Sequence, residues 1–263
     1  KNTAWGLRYD INANIGTYRN KITKLPATVA AKGTFGGNGV KSVIGHAMGS
    51  QVGYVADGIF KSQDEIDNHA TQEGAALGRI RWKDLNNDGK ITEADQEWIY
   101  DPTPDFTYGF NIYLEYKNFD FTAFFQGVQG VDIISDLKKE TDIWAGLNIG
   151  FLNKGRRLLD AWSPTNPNSN IPAVSLSDNN NEKRVSSYWV ENGSYLKLRT
   201  VQLGYNVPKS FAQKLAMERL RFYLSAQNVF TIKSSSFTGV DPENPNYGYP
   251  IPLNITFGLN VTF

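Results

Sequence analysis

The residues best placed to do chemistry form one run, Asp84-Leu85-Asn86-Asn87-Asp88-Gly89-Lys90-Ile91-Thr92-Glu93-Ala94-Asp95. Its spacing is that of an EF-hand-type calcium loop. Asp84, Asn86 and Asp88 offer side-chain oxygens at the first, third and fifth positions, Lys90 offers its backbone carbonyl, and Asp95 closes the loop. Gly89 falls at the sixth position, where the chain turns sharply. Ca²⁺ is a hard cation that takes about six to eight oxygens in a flexible cage, and this spacing wraps them round one point. Asp95 departs from the pattern, since a longer Glu is usual there. The expected ion is structural, pinning an exposed loop with an affinity of about 10⁻⁴ to 10⁻³ M. Without an ion the same residues would make an Asx-rich turn.

Other reactive chemistry is sparse. The two histidines are His46 and His69. His69 sits in a polar stretch that reads as a solvated helical turn, and neither has a Gly-x-Ser-x-Gly context beside it. No carboxylate pair declares itself as acid and base, so no catalytic residue is assigned and no enzyme is expected. The run Gly33-Thr34-Phe35-Gly36-Gly37-Asn38-Gly39-Val40-Lys41-Ser42 has the look of a phosphate loop. It lacks the Gly before Lys41 and a following helix pattern, and reads as a flexible loop. With no cysteine there is neither a disulfide framework nor a thiolate metal site. A net charge of +1 argues against nucleic acid as a partner.

The elements that carry these residues are strands. Aromatics make up 13% of a chain whose mean hydropathy is −0.41, which fits sheets with one apolar and one wet face. At the end of the chain Ile251, Leu253, Ile255, Phe257, Leu259, Val261 and Phe263 alternate with Pro252, Asn254, Thr256, Gly258, Asn260 and Thr262. Successive side chains of a strand point to opposite faces, so this is a strand signature. Its length suits a tilted membrane strand, about 9 to 11 residues, better than an ordinary one. Phe106, Tyr108, Phe110, Ile112, Leu114 and Tyr116 repeat the pattern, as do Trp5, Leu7, Tyr9, Ile11, Ala13 and Ile15, and Leu220, Phe222, Leu224 and Ala226. Residues 120–130 and 195–207 add two more, the latter with Lys197 and Arg199 breaking its apolar face, which a bulge or an end above the bilayer would explain. Residues 51–60 are a seventh, weaker strand.

A soluble β-sandwich also alternates. Here the strands are long, the apolar faces end in Tyr, Phe and Trp, and the opposite faces are rich in Asn, Thr, Gly and Arg, which are the marks of a membrane barrel. Connections divide into tight turns and long polar loops at 61–104, 131–194 and 231–250. Placing the turns in the periplasm puts all three loops outside and ends the chain at Phe263 in the periplasm. The 18–48 stretch fits this parity poorly, being long yet periplasmic.

These motifs together resemble the SusC-like (SusC/RagA) family of TonB-dependent outer-membrane transporters. The resemblance rests on Val55-Ala56-Asp57-Gly58-Ile59-Phe60, the run from Arg81 through the calcium-type loop to Thr92, and Pro102-Thr103-Pro104-Asp105-Phe106-Thr107-Tyr108-Gly109-Phe110. It continues through Phe124-Phe125-Gln126-Gly127, Ala161-Trp162-Ser163-Pro164-Thr165-Asn166-Pro167 and Ser194-Tyr195-Leu196-Lys197-Leu198-Arg199. Leu203-Gly204-Tyr205, Ala226-Gln227-Asn228-Val229-Phe230 and the ending Phe257-Gly258-Leu259-Asn260-Val261-Thr262-Phe263 complete it.

The resemblance implies an all-β fold, a transmembrane antiparallel β-barrel segment supplying about the last seven strands of a barrel of about 22 around a plug. It implies an outer-membrane importer of oligosaccharides or peptides, capped by a SusD-like surface lipoprotein and driven by TonB. The plug domain and TonB box are absent from residues 1–263, and seven strands cannot close in lipid. The expectation is a C-terminal portion of a longer transporter, completed by the remaining strands and plug and bounded by membrane lipid. A secreted calcium-stabilised carbohydrate-binding β-protein is the alternative. Trp144, Trp162, Trp189, Tyr247 and Tyr249 in the loops could stack on sugars, and are read instead as girdle or partner contacts.

Overall fold

A computed structural model of the protein describes residues 3–26, 43–142, 154–175, 178–245 and 249–263. Its strands are β1 (Leu7–Gly16), β2 (Gln51–Tyr54), β3 (Ala56–Ile59), β4 (Ile80–Trp82), β5 (Gln96–Tyr100), β6 (Phe106–Tyr116), β7 (Phe119–Gln129), β8 (Asp132–Ile134), β9 (Val190–Asn192), β10 (Tyr195–Asn206), β11 (Arg219–Lys233) and β12 (Asn254–Thr262). Short helices lie at Gln63–Asp67, Asp136–Asp142 and Lys209–Lys214.

Six strands form one antiparallel sheet in the order β1-β6-β7-β10-β11-β12, each pairing with the next in the meander. They run from 9 residues in β12 to 15 in β11, long enough to cross a bilayer when tilted. The register sorts the side chains by hydropathy. Ile11, Ile112, Ala123, Val201, Ala226 and Ile255 fall on one face, and Asn12, Asn111, Thr122, Gln202, Ser225 and Thr256 on the other. Aromatic rings cross the apolar face between strands, with Phe110 stacked on Phe125 at 4.5 Å and Phe222 on Phe257 at 6.3 Å. This apolar face is uncovered: Ile15, Ile255 and Phe257 are 72%, 67% and 70% exposed.

Lys197 and Arg199 do not break this face, because β10 carries a bulge. The register shifts between Leu198 and Thr200 against both neighbours. One extra residue reverses the alternation. Val201, Leu203 and Tyr205 lie on the apolar face beyond the bulge, and Leu196 and Leu198 lie on it before the bulge. Lys197 and Arg199 thereby turn to the polar face.

The expected seventh membrane strand at 51–60 is corrected. β2 and β3 there have 4 residues each and pair with β5 and β4 in separate small sheets. The stretch is too short and too interrupted to cross a bilayer, with Gly58 at φ +88°. Its removal resolves the parity of 18–48. That stretch belongs to the single connection 17–105 between β1 and β6, on the same side as 130–194 and 234–253. The opposite side carries the Lys117-Asn118 turn, with Lys117 at φ 54°, and the connection through Lys209–Lys214.

The long connections pack into a cap with its own core. Ile59, Ile80 and Trp82 are buried together, with Tyr54, Ala56, Ile91, Trp162 and Tyr188 against them. A buried polar network ties the first connection to the second. Gln72 donates to the Ile80 carbonyl (2.8 Å) and to Asn180 Oδ1 (2.7 Å), and accepts from Trp82 N–H (2.9 Å). Glu182 accepts from Ile80 N–H (2.9 Å) and pairs with Arg79 (3.0 Å). Burial lifts the Glu182 carboxyl above its ordinary range, against the pull of Arg79.

The two faces of the sheet should respond differently to charge. Leu224→Arg, on the apolar face, should lower the stability of the membrane-assembled protein by about 2–4 kcal/mol. Ser225→Arg, next to it on the polar face, should cost less than about 1 kcal/mol. Denaturant unfolding in lipid vesicles measures both, and equal effects would contradict the assignment of faces.

Candidate functional site

The calcium-type loop is built by the Asx geometry its sequence specifies. Asp84 accepts from Asn87 N–H (2.7 Å) and Gly89 N–H (2.9 Å), Asn86 Oδ1 from Asp88 N–H (2.9 Å), and Asp88 Oδ1 from Lys90 N–H (2.9 Å). Asn87 at φ 59° and Gly89 at φ 77° make the turn. Thr71 pairs with Lys90, and Ile91 packs on the cap core, so the loop is anchored at its middle.

Asp95 takes a different part from that expected. It is wholly buried and accepts from Leu85 N–H (2.9 Å) and Thr92 N–H (2.7 Å), completing a capping box with Thr92. Burial alone would raise its carboxyl, but the N–H groups of Thr92, Leu85 and Asn86 outweigh it and hold it below the usual range. Among the described residues no three His, Cys, Asp or Glu converge as a metal cage. A cation here would depend on Asp84 and Asp88 with the Asn86 amide oxygen and the Lys90 carbonyl. Their chemistry fits a hard ion, since a carboxylate oxygen holding one N–H retains a second lone pair.

The polar face carries two ionic clusters that the sequence pattern did not single out. Near the tight turns, Arg221 of β11 grips Asp120 of β7 through Nε (2.9 Å) and Nη2 (2.5 Å), and Asn206 adds a third bond at 3.0 Å. The pair spans β10 at Gly204, where an added Cβ would meet Arg221 at 2.3 Å and Asp120 at 2.5 Å.

At the cap end, Lys197 is 1% exposed and holds Asp241 (2.9 Å) and Glu243 (2.6 Å). Tyr195 O–H donates to Glu243 at 2.7 Å, and Arg199 pairs with Glu243 while donating to Gln126 at 2.9 Å. The third connection is thus pinned to the polar face by the charges that interrupt β10. Burial opposes ionisation of Glu243, but the bonds from Lys197 and Tyr195 and the nearby cations win and hold its carboxyl low. The signal for this cluster was present: two cations in an apolar register require anionic partners, and Asp241 and Glu243 stand in the connection that follows β11.

Of the loop aromatics, Trp189 is too deeply buried to be a girdle or partner contact, and Trp162 belongs to the packing of the cap. Trp162 packs on the cap core, and Trp189 is buried with its indole N–H donated to the Arg184 carbonyl. Tyr249 is 97% exposed. Trp144, Tyr247 and the Gly33–Ser42 run lie outside the described residues. His69 is half-buried, bonded to the Trp82 carbonyl (2.9 Å) and edge-on to Phe60, so it is part of the packing and not a solvated turn.

Acid should release the third connection. A carboxylate whose folded-state pKa is lowered contributes stability above its unfolded value, about 4.3, and loses it as pH falls through the folded value. A fluorophore at Val240 should be immobilised at pH 7 and gain motion below about pH 4. Glu243→Gln should be mobile already at pH 7. Anisotropy that stays flat from pH 7 to 3 would overturn the latch.

No family model matches the chain. TonB-dependent receptor P3 of Formosa agariphila is 37% identical over 236 residues, covering 83% of this chain and 22% of the receptor. TonB-dependent receptor SusC of Bacteroides thetaiotaomicron is 27% identical over 100% of this chain and 25% of its own length. Among solved structures, the RagAB peptide importer in its open-open state shares the fold, with a TM-score of 0.75 at 22% identity over 100% of this chain and 27% of that chain. The chain therefore spans about a quarter of the length of the proteins it matches. These relatives are receptors and not enzymes, and the chain belongs with them to the SusC-like family of TonB-dependent receptors.

Proposed function

We propose that the chain forms wall, lumen lining and extracellular cap of an outer-membrane importer of oligosaccharides or peptides. The observation that carries this reading is the six-strand sheet, whose membrane-length strands divide an exposed apolar face from a polar one. The remaining strands of a barrel of about 22 and its plug complete the wall. TonB supplies energy through a region outside residues 1–263, and a SusD-like lipoprotein closes the mouth over the cap. The relatives' names support nutrient uptake, and the peptide importer among the structural neighbours supports peptides beside glycans as cargo. A secreted carbohydrate-binding protein would have to leave Ile255 and Phe257 in water, and that reading is not retained.

The assignment is tested with the native full-length protein. It should remain in the outer-membrane fraction through high salt and leave it only with detergent, and cells lacking the lipoprotein should lose uptake of labelled oligosaccharide or peptide. Release by salt alone would refute the membrane assignment, and undiminished uptake of both cargoes would refute the partner.

The loop at 84–95 is proposed to bind a structural Ca²⁺ through Asp84, Asn86, Asp88 and the Lys90 carbonyl, with Asp95 closing the loop. Titration of Ca²⁺ into the detergent-solubilised transporter should lose one weak site in the Asp84→Ala/Asp88→Ala variant. Indistinguishable heats from parent and variant would sink the proposal.

A further inference from the structure

On the side of the tight turns, the apolar face of the sheet ends in a row of rings. Trp5 lies edge-on to Tyr116 with centroids 5.8 Å apart, and Phe119 tilts against Tyr205 at 4.9 Å. The chain entering β1 and the ends of β6, β7 and β10 thus each carry an aromatic, as membrane walls do at the level of the head groups. β11 does not, since its first residue on that face is Leu220.

The helix Lys209–Lys214 comes just before β11 and supplies the ring that β11 lacks. Its Ala212 is wholly buried where the helix meets β11, and Met217 N–H returns to the Ala212 carbonyl at 3.1 Å. Phe211 and Leu215, four residues apart and so on one side, are 62% and 58% exposed. Lys214 Nζ stands 5.2 Å from the centre of the Phe211 ring. In the neighbouring turn Lys117 Nζ stands 5.2 Å from the centre of the Tyr116 ring. The two turns touch, because Asn206 N–H donates to the Asn118 carbonyl at 2.8 Å. An ammonium beside an exposed ring therefore occurs twice on one rim. From Val207 to Met217 the only charged side chains are Lys209 and Lys214.

We propose that this helix is an interfacial anchor: Phe211 and Leu215 enter the periplasmic leaflet, and Lys209 and Lys214 hold the phosphates of its glycerophospholipids. The proposal rests on the membrane reading of the sheet given above. A ring at the boundary of acyl chains and head groups keeps its apolar body out of water. A lysine there lays its stem along apolar surface and carries its ammonium to the phosphates. Six residues make a marginal helix alone, so packing against the wall is what presents this face. The polar face at this end offers Phe211 and Leu215 no match, being occupied by Arg221 on Asp120 and Arg219 on Asn206.

The test places the full-length protein in phospholipid nanodiscs, with an environment-sensitive fluorophore on one introduced cysteine at a time in a background free of others. The positions are Leu215→Cys, Gln213→Cys on the far side of the helix, and Leu224→Cys on the apolar face of β11. A nitroxide lipid should quench the label at 215 about twofold or more, while aqueous iodide leaves it bright. The label at 213 should show the reverse, and the label at 224 should be quenched by the nitroxide. Adding phosphatidylglycerol to phosphatidylcholine should strengthen nitroxide quenching at 215, and Lys209→Gln/Lys214→Gln should abolish that increment.

Nitroxide quenching at 224 but not at 215 would overturn the anchor and leave the membrane wall standing; quenching at neither would overturn both. Iodide quenching at 215 would mean that the helix faces water, and protection from both quenchers that another part of the transporter covers it. Either result overturns the anchor. An increment that is missing, or equal in parent and lysine variant, would overturn the phosphate contact. The comparison of labels at 213, 215 and 224 keeps both lysines, so it stands even where the lysine variant misfolds.

Discussion

In a layer without water, every backbone N–H and C=O must find a partner in the protein, at several kcal/mol for each group left unpaired. That constraint orders the rest of the molecule. It favours a meander in which each long strand pairs with the next, and the six-strand sheet is such a meander. It also turns the sheet's two outer edges, on β1 and β12, into demands for further strands, since an open edge in hydrocarbon would leave its ladder unmade. Lateral pairing being fixed, side chains decide only which face meets lipid. The alternation does so strand after strand, and the bulge at Arg199 keeps β10 in agreement where its sequence alone would put two cations into the bilayer.

Outside the hydrocarbon the constraint relaxes, and the long connections follow the rules of a water-soluble domain. They build small sheets, bury Ile59, Ile80 and Trp82, and satisfy backbone with side chains such as Gln72, Asn180 and Glu182. The cap is nonetheless tied to the wall. Asp101 and Asp132 extend the β6–β7 pairing upward, and Lys197 reaches from the bulged strand to Asp241 and Glu243. A buried lysine with two carboxylates is costly to disrupt, because removing one member strands charge away from water. The bulge therefore serves both ends of β10: apolar residues toward lipid, cations toward the third connection.

The wall was legible in the sequence because its information is local. Period-two alternation along the strand ending at Phe263, or through Phe106–Tyr116, needs no knowledge of neighbours. The stretch at 51–60 misled because two 4-residue strands in sequence imitate one longer strand, and only their partners β5 and β4 tell them apart. What was not legible is non-local. Arg221 meets Asp120 across 101 residues, and Gln72 meets Asn180 across 108. Trp162 and Trp189 looked like surface aromatics because a polar loop was not expected to need a core, yet connections this long bury one.

The substitution of Asp for Glu at the end of the calcium-type loop gains a meaning from the structure. A side chain one methylene shorter stays close to its own backbone, and Asp95 there accepts from Leu85 and Thr92 instead of reaching outward. The loop then divides in two. Its first half is a ladder of Asx bonds with oxygens suited to a hard cation, and its second half is a capping box closed by protein alone. With Ile91 seated on the cap core and Thr71 bridged to Lys90, the second half holds its position without an ion. Any cation thus acts on residues 84–90, stiffening one exposed turn of a cap whose attachment to the wall lies elsewhere, at Lys197 and along the β6–β7 extension.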